Sequence, residues 1–401
     1  MKYNIAYTVN QNYIKYLYVS LISLLESNKG THLCVHVLSH DLNEQGKKWV
    51  SDLAEQYGQT VCFHDIFGID DFKDRVSIGY GVEVYLRLFL PYELKGVSKV
   101  LFLDADTVVQ GDLSEIFDTD MDGMALAGCL DGQLGHNLLK SRNDIFGRTD
   151  DFSYYNAGVM LWNLEYIREN IAFDDFLRVI ELFGNRLFFN DQDILNYLFC
   201  GRIMNLGSHR FNYMTDMFKD YSDFEEQVGK AAVLHYAGCN PWKIGKSGRV
   251  DNRIWWELAK RTPFYEEIVE ETLQNVARTI GEAAERNRIY QAYSEFKLNG
   301  RSLKDCEAVK NSRSIVVYGV GAWGRLLIDE LGDETAKITH IVDKKAGGEL
   351  KGMPIEDIDI LSTDSDIDLV IITPYRCARE IRKELETKVR APMISLVELF
   401  E

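Results

Sequence analysis

The 401-residue chain has little proline, 6 residues in all, and no apolar run approaching the ~20 residues that span a bilayer. Membrane-spanning helices are therefore not expected. Basic residues are also outnumbered: 45 Lys and Arg face 62 Asp and Glu, a net charge of −17. That argues against nucleic acid as the main partner, because phosphate recognition needs a positive footprint. Seven cysteines (Cys34, Cys62, Cys129, Cys200, Cys239, Cys306, Cys377) are scattered and form no C-x-x-C pair. Neither a disulfide framework nor a zinc site is expected, and a reducing compartment fits best. The N-terminus, MKYNIAYTVNQNYIKYL, lacks the basic-then-apolar plan of a signal peptide, so the expected location is cytoplasmic. Internal repeats and low-complexity tracts are absent.

The composition is otherwise that of a globular protein, 46% hydrophobic and 12% aromatic, and the length allows two domains. Over the first 240 residues, β-rich runs (YNIAYTV, HLCVHVLS) alternate with helical patterns (NYIKYLYVSLISLLESN, NEQGKKWVSDLAEQYG). This alternation predicts an α/β layer fold with a mostly parallel sheet. Residues 256–311 read as a polar, helical connector. Residues 312–401 restart with a strand–turn–helix unit, SIVVYGVGAWGRLLIDEL, and continue with the strands KITHIVD, DLVIITP and APMISL. A second, small α/β domain is expected there.

In KVLFLDADTVVQGDL an uninterrupted apolar strand runs into Asp104-Ala105-Asp106. Such a strand is buried on both faces, and ligands in open α/β sheets bind beyond the carboxyl ends of such strands. Two acids so close repel each other. They could simply cap the next turn. A general acid/base pair of the glycosidase kind is a poor fit, since those carboxyls flank a substrate from about 5 to 9 Å apart. The third reading is a hard-cation site that cancels the repulsion and stays open to water and substrate phosphates.

Three later blocks bear on the choice: YYNAGVMLWNL (154–164), FFNDQDILNYLFCG (188–201) and AAVLHYAGCNPW (231–242). With the Asp-x-Asp strand, in this order and spacing, they resemble the retaining glycosyltransferases of family 8, which include glycogenin and bacterial lipopolysaccharide galactosyl- and glucosyltransferases. The resemblance spans about residues 1–260. It implies a GT-A fold (a Rossmann-like mixed sheet flanked by helices), UDP-glucose or UDP-galactose as donor, Mn²⁺ (or Mg²⁺) as cofactor and a glycan or glycolipid acceptor. Carried over by position, Asp104, Asp106 and His235 are the implied metal ligands, with Asp104 and Ala105 also near the donor. A lone histidine is more commonly structural, but imidazole suits Mn²⁺. Arg87, which interrupts an apolar run where an unpaired charge is costly, is implied at the donor sugar and diphosphate. Asp131, Asn156 and the Ala157 and Gly158 backbone are implied at the hexose, and Gly238 close to the diphosphate. Asp191 and Gln192 also fit the first turn of a helix. The resemblance instead makes them the catalytic pair, with Gln192 near the anomeric carbon.

Two departures from the family pattern stand out. The nucleotide strand ends TVNQNY, which offers Thr8, Asn10, Asn12 and Tyr13 to the donor, so the uracil contact would come from an amide rather than a carboxylate. The family's phosphate-binding lysine before Pro-Trp is replaced by Asn240, leaving Lys243 or Lys246 for that task. Basic residues cluster from 243 to 261, which suits phosphate, an anionic membrane surface contacted peripherally, or a solvated face.

In the C-terminal domain, Gly319, Gly321 and Gly324 form G-x-G-x-x-G between a strand and a helix, with Asp343 ending the next strand. This is the context of a dinucleotide turn, and it resembles small Rossmann-like domains appended to sugar-modifying enzymes. NAD or another nucleotide could bind there, or the turn could be structural. Two competing functions remain open at this level: a non-catalytic UDP-sugar sensor, and an NAD-dependent oxidoreductase that lacks visible catalytic residues.

Overall fold

The computed structural model describes residues 2–69, 81–132, 136–147, 153–215, 221–238, 240–243, 252–332, 337–362 and 366–400. The chain forms two compact units, 1–276 and 277–401. The division falls inside the helix Tyr265–Leu298, within the segment read from sequence as a connector. No helix among the described residues is long and apolar enough to cross a membrane.

The strands of the first unit are β1 (Lys2–Thr8), β2 (His32–Ser39), β3 (Thr60–Asp65), β4 (Lys99–Leu103), β5 (Thr107–Val109), β6 (Leu126–Leu130), β7 (Tyr155–Asn163), β8 (Ile203–Asn205), β9 (Tyr213–Met214) and β10 (Val233–His235). Among the described residues the main sheet runs β3-β2-β1-β4-β7-β6-β8. β3, β2, β1 and β4 are parallel, and β7 is antiparallel to both β4 and β6. The sheet is thus mixed, as the resemblance implies, with four of its six described pairings parallel, as the alternation predicts.

Alternate residues of the central strands enter opposite cores. Leu101 and Leu103 join Ile5, Tyr7, Val35 and the helix Ile14–Ser27 on one face. Val100 and Phe102 join Ala6, Met160, Trp162 and the helix Asp191–Leu198 on the other. Both faces are covered, which is why KVLFL shows no polar alternation.

This topology brings the distant sequence blocks to one edge. The carboxyl ends of β1, β4 and β6 lie on the same edge as the amino end of the antiparallel β7. Thr8, Asp104, Asp131 and Asn156–Gly158 therefore share that edge. A smaller sheet, β5-β10-β9, adds the last block. β10 is antiparallel to β5 with His235 opposite Thr107, one residue past Asp106.

The second unit contains β11 (Ile315–Tyr318), β12 (Ile338–Val342), β13 (Glu349–Leu350), β14 (Met353–Glu356), β15 (Leu369–Ile372) and β16 (Met393–Ser395), ordered β13-β14-β12-β11-β15-β16. β14, β12, β11, β15 and β16 are parallel, and the order reverses between β11 and β15, as in a doubly wound Rossmann-like sheet. The helices Ala322–Leu331 and Ala378–Leu385 cover opposite faces. The short β13–β14 hairpin was not anticipated.

Candidate active site

Asp104 and Asp106 leave β4 in a tightly held turn. The Asp104 N–H donates to Gly158 O (2.7 Å), and its carbonyl accepts from Thr107 N (3.1 Å) and Thr107 Oγ1 (2.8 Å). His235 Nε2 lies 3.3 Å from Asp106 Oδ1 and 3.7 Å from Asp104 Oδ2. Its other ring nitrogen, Nδ1, faces Asn212 Oδ1 at 2.9 Å. A carbonyl oxygen can only accept, so Nδ1 carries hydrogen and the Nε2 lone pair of the neutral ring faces the carboxylates.

The electrostatics follow from this contact. Burial pulls the His235 pKa down, but the carboxylates of Asp106 and Asp104 outweigh it and the net direction is up. Burial raises the carboxyl pKa of Asp106, yet the His235 ring and the Asn240 amide overcome it and hold it low.

Arg87 lies on a 3-10 helix, Val82–Phe89, and is 5% exposed. Its Nη2 donates to Asp104 Oδ1 (2.8 Å), its Nη1 to Ala157 O (2.8 Å), and its Nε sits 2.9 Å from Asp191 Oδ2. The guanidinium also covers the Phe102 ring at 4.3 Å. A charge in an apolar run is tolerated here because two carboxylates, a carbonyl and an aromatic face meet it. Burial pushes the Asp191 carboxyl up to about 7, although Arg87 pulls the other way.

The sugar-pocket candidates form one continuous network. Gln192 Oε1 accepts from Ala157 N and its Nε2 donates to Asp131 Oδ2, each at 2.9 Å. Asn156 Nδ2 also reaches Asp131 Oδ2 (3.3 Å), while Asn156 Oδ1 accepts from Gly158 N and Asn212 Nδ2, both at 2.9 Å. Asp191 and Gln192 open the helix Asp191–Leu198 after Asn190, a non-glycine residue held at φ +48. Its side chain accepts a hydrogen bond from Tyr85 OH (3.1 Å), and such strain persists only where surroundings impose it. Asp193, the next residue of that helix, is fully buried and accepts from Arg142 Nη1, Tyr154 OH, Phe188 N and Phe189 N.

The nucleotide-side candidates are more loosely gathered. Thr8 ends β1. Asn10 caps the following turn through Tyr13 N (3.0 Å) and donates to Glu83 Oε1 (2.9 Å), while Asn12 is exposed. Lys243 Nζ reaches Tyr13 OH at 3.4 Å, Gly238 has a left-handed φ of +69, and Lys246 lies outside the described residues. Asn240 donates to Asp106 Oδ2 at 2.8 Å. In the second unit, a Cβ on Gly324 would lie 1.9 Å from Gly319 O, so the glycine turn is sterically required. Both Asp343 carboxylate oxygens accept backbone N–H groups, from Val320 and Lys345.

The Asp104–Asp106–His235 group suits a divalent cation. One ligand atom from each lies within 4.8 Å of the others, and two carboxylates with one imidazole match an oxygen-preferring metal. Gly158 lines the same cleft: a Cβ there would come within 2.2 Å of His235 Cε1 and 2.6 Å of Asp104 Oδ2. Sequence reading counted the Gly158 backbone in the block lining the hexose but missed this steric role, and it missed Asn212 altogether. Asn212 sits between motif blocks and carries no motif of its own.

Residues 4–244 match the family described as Glycosyl transferase family 8. The chain belongs to glycosyltransferase family 8. Within that family it is 28% identical over 258 residues to a Haemophilus influenzae glycosyltransferase, covering 63% of this chain and 76% of that one. It is 27% identical over 255 residues to an Escherichia coli lipopolysaccharide 1,2-glucosyltransferase, covering 60% and 73%. The crystal structure of the galactosyltransferase LgtC in complex with donor and acceptor sugar analogues is similar at 27% identity and a TM-score of 0.56. That similarity covers 65% of this chain and 96% of LgtC. The family 8 match ends within the first unit and does not extend to the second. The first unit has the GT-A fold, and membership in the family implies a nucleotide-sugar donor, a divalent metal and a glycan acceptor.

Proposed function

We propose that this family 8 glycosyltransferase is a retaining hexosyltransferase that moves glucose or galactose from UDP to a hydroxyl of a glycan or glycolipid. Lipopolysaccharide, capsule or another cell-surface glycan is the product class. The reading rests above all on one observation, the convergence of Asp104, Asp106 and His235 beside the buried Arg87. The lipopolysaccharide glucosyltransferase relative supports the acceptor class. In this reading residues 1–255 carry catalysis, and the chain works on the cytoplasmic side with at most peripheral membrane contact.

Asp104, Asp106 and His235 would hold Mn²⁺ or Mg²⁺. Bound there, the cation supplies positive charge against the negative charge that develops on the departing diphosphate. The protein's own groups do the rest. Arg87 adds a fixed cation whose side chain is already immobilised, so no reorganisation is needed as charge develops. Thr8, Asn10, Asn12 and Tyr13 line the uridine side, and Gly238 and Lys243 the diphosphate. Asp131, Asn156, Ala157 and Asp191 orient the hexose hydroxyls.

Gln192 is anchored at both ends of its amide, to Ala157 N and Asp131. An amide oxygen is a weak nucleophile, and this one is already accepting a hydrogen bond. Front-face substitution fits better than a covalent glycosyl-enzyme. The C1–O bond to UDP breaks, the acceptor oxygen bonds to C1 from the same face, and the acceptor proton passes to a diphosphate oxygen.

The test is incubation of the full chain with a panel of UDP-sugars and Mn²⁺, measuring released UDP with and without chelator. UDP release from UDP-glucose or UDP-galactose that stops in chelator is expected. No release from any UDP-sugar would overturn the reading.

A further inference from the structure

The absence of any C-x-x-C pair argued against a metal–thiolate site, but a different spacing is present. Cys34-x-His36 lies on β2 and Cys62-x-His64 on β3, and residues two apart on a strand share a face. The strands are parallel, with His36 directly opposite Cys62 and Leu38 opposite His64. All four side chains therefore rise from one face of the sheet, with Cys34 first along it, His36 and Cys62 level with each other, and His64 last.

The distances suit ligands of a single cation. Cys34 Sγ and Cys62 Sγ are 3.9 Å apart and unbonded. Two thiolates at about 2.3 Å from one tetrahedral Zn²⁺ would be about 3.8 Å apart. Sulfur atoms of both cysteines and a ring nitrogen of His36 lie within 4.8 Å of one another. Whichever His36 nitrogen takes a metal, the other keeps a partner: Nδ1 faces His64 Nε2 at 3.1 Å, and Nε2 faces Asn4 Oδ1 at 3.2 Å. Metal-binding imidazoles are characteristically held this way. Cys34 and His36 are buried while Cys62 is half-buried, which gives an entry path from the edge.

We propose that Cys34, Cys62 and His36 bind one thiolate-seeking divalent cation, Zn²⁺, with the partner of the remaining His36 nitrogen, His64 or Asn4, orienting the ring, at a site separate from the Asp104–Asp106–His235 group. Two thiolates and an imidazole select zinc over the oxygen-preferring Mn²⁺ or Mg²⁺. β3 is the last strand of its sheet among the described residues. A cation bridging β2 and β3 would clip that strand in place, a role in stability rather than in turnover.

The reduced, metal-stripped full chain is titrated with Co²⁺. A thiolate-to-cobalt charge-transfer band in the near ultraviolet is expected, and the Asp104–Asp106–His235 group, having no thiolate, cannot produce it. The band should persist in Asp106→Ala and vanish in Cys34→Ser and Cys62→Ser. On the unmutated chain, which avoids any folding defect, Zn²⁺ should slow alkylation of Cys62 and raise the melting midpoint. The proposal is overturned if no band forms, if it survives the double Cys→Ser change, or if Zn²⁺ leaves alkylation of Cys62 unchanged. It is overturned equally if the purified chain carries a reducible Cys34–Cys62 disulfide.

Discussion

Gly158 and His235 are packed so closely that a single added methyl group at position 158 would sit 2.2 Å from His235 Cε1. The imidazole has nowhere to retreat, because Asn212 holds its far side at 2.9 Å. Gly158→Ala should therefore push His235 and Asp104 apart while leaving the surrounding β7 packing in place. A misplacement of this size lowers turnover by about 10²-fold. Metal titration and UDP release on the folded variant check this; unchanged metal affinity would remove the steric argument.

Asp106 accepts from Asn240 and faces His235, and among the described residues no backbone hydrogen bond from another element depends on its carboxylate. Asp106→Ala should abolish UDP-sugar turnover without unfolding the chain. Far-ultraviolet circular dichroism and a thermal melt establish the fold, and coupled UDP detection establishes the loss. Full activity in this variant would refute the metal role.

The raised pKa of His235 gives a pH prediction with a definite sign. Its folded value lies above the ordinary 6.5, so in metal-free protein the stability it contributes is fully present below 6.5 and is lost as pH rises through the folded pKa. A cation needs the neutral ring and competes with that proton. Apparent metal affinity should fall about tenfold per pH unit below the folded pKa. The melting-point gain on adding Mn²⁺ should accordingly grow between about pH 6 and about pH 8. A gain independent of pH, measured by thermal shift across that range, would exclude His235 as a ligand.

How much of this was readable beforehand differs by residue, for physical reasons. Asp104 and Asp106 were legible because a doubly covered strand leaves a continuous apolar run that ends abruptly in charge. His235 was legible only through its block, since the pairing of β10 with β5 that brings it to Asp106 joins residues more than a hundred positions apart. Arg87 was correctly marked as costly, but its two-carboxylate bridge depends on Asp191 arriving from another helix. Asn212 and the Cys34–Cys62 contact were illegible for the same reason. Single side chains acquire partners through sheet register, which local spacing does not encode.

The last prediction concerns Asp193, whose neighbours Asp191 and Gln192 carry the proposed chemistry. Its carboxylate is fully buried and accepts from the Arg142 guanidinium at 3.1 Å, Tyr154 OH at 2.6 Å and two backbone N–H groups at 2.7 and 3.0 Å. Those backbone donors, Phe188 and Phe189, form the approach to the strained Asn190, so this one carboxylate fixes how the chain enters the helix Asp191–Leu198. Asp193→Ala strands a buried guanidinium and leaves the donors without their acceptor, at a cost of roughly 3–5 kcal/mol. Asp193→Asn preserves the volume and one carbonyl oxygen, so its loss should be smaller. Urea denaturation should rank the wild type above Asp193→Asn and that above Asp193→Ala. Turnover should fall in the same order as the Gln192 amide loses its fixed position against Ala157 and Asp131. Equal midpoints for all three would mean that the buried carboxylate is not what holds the loop.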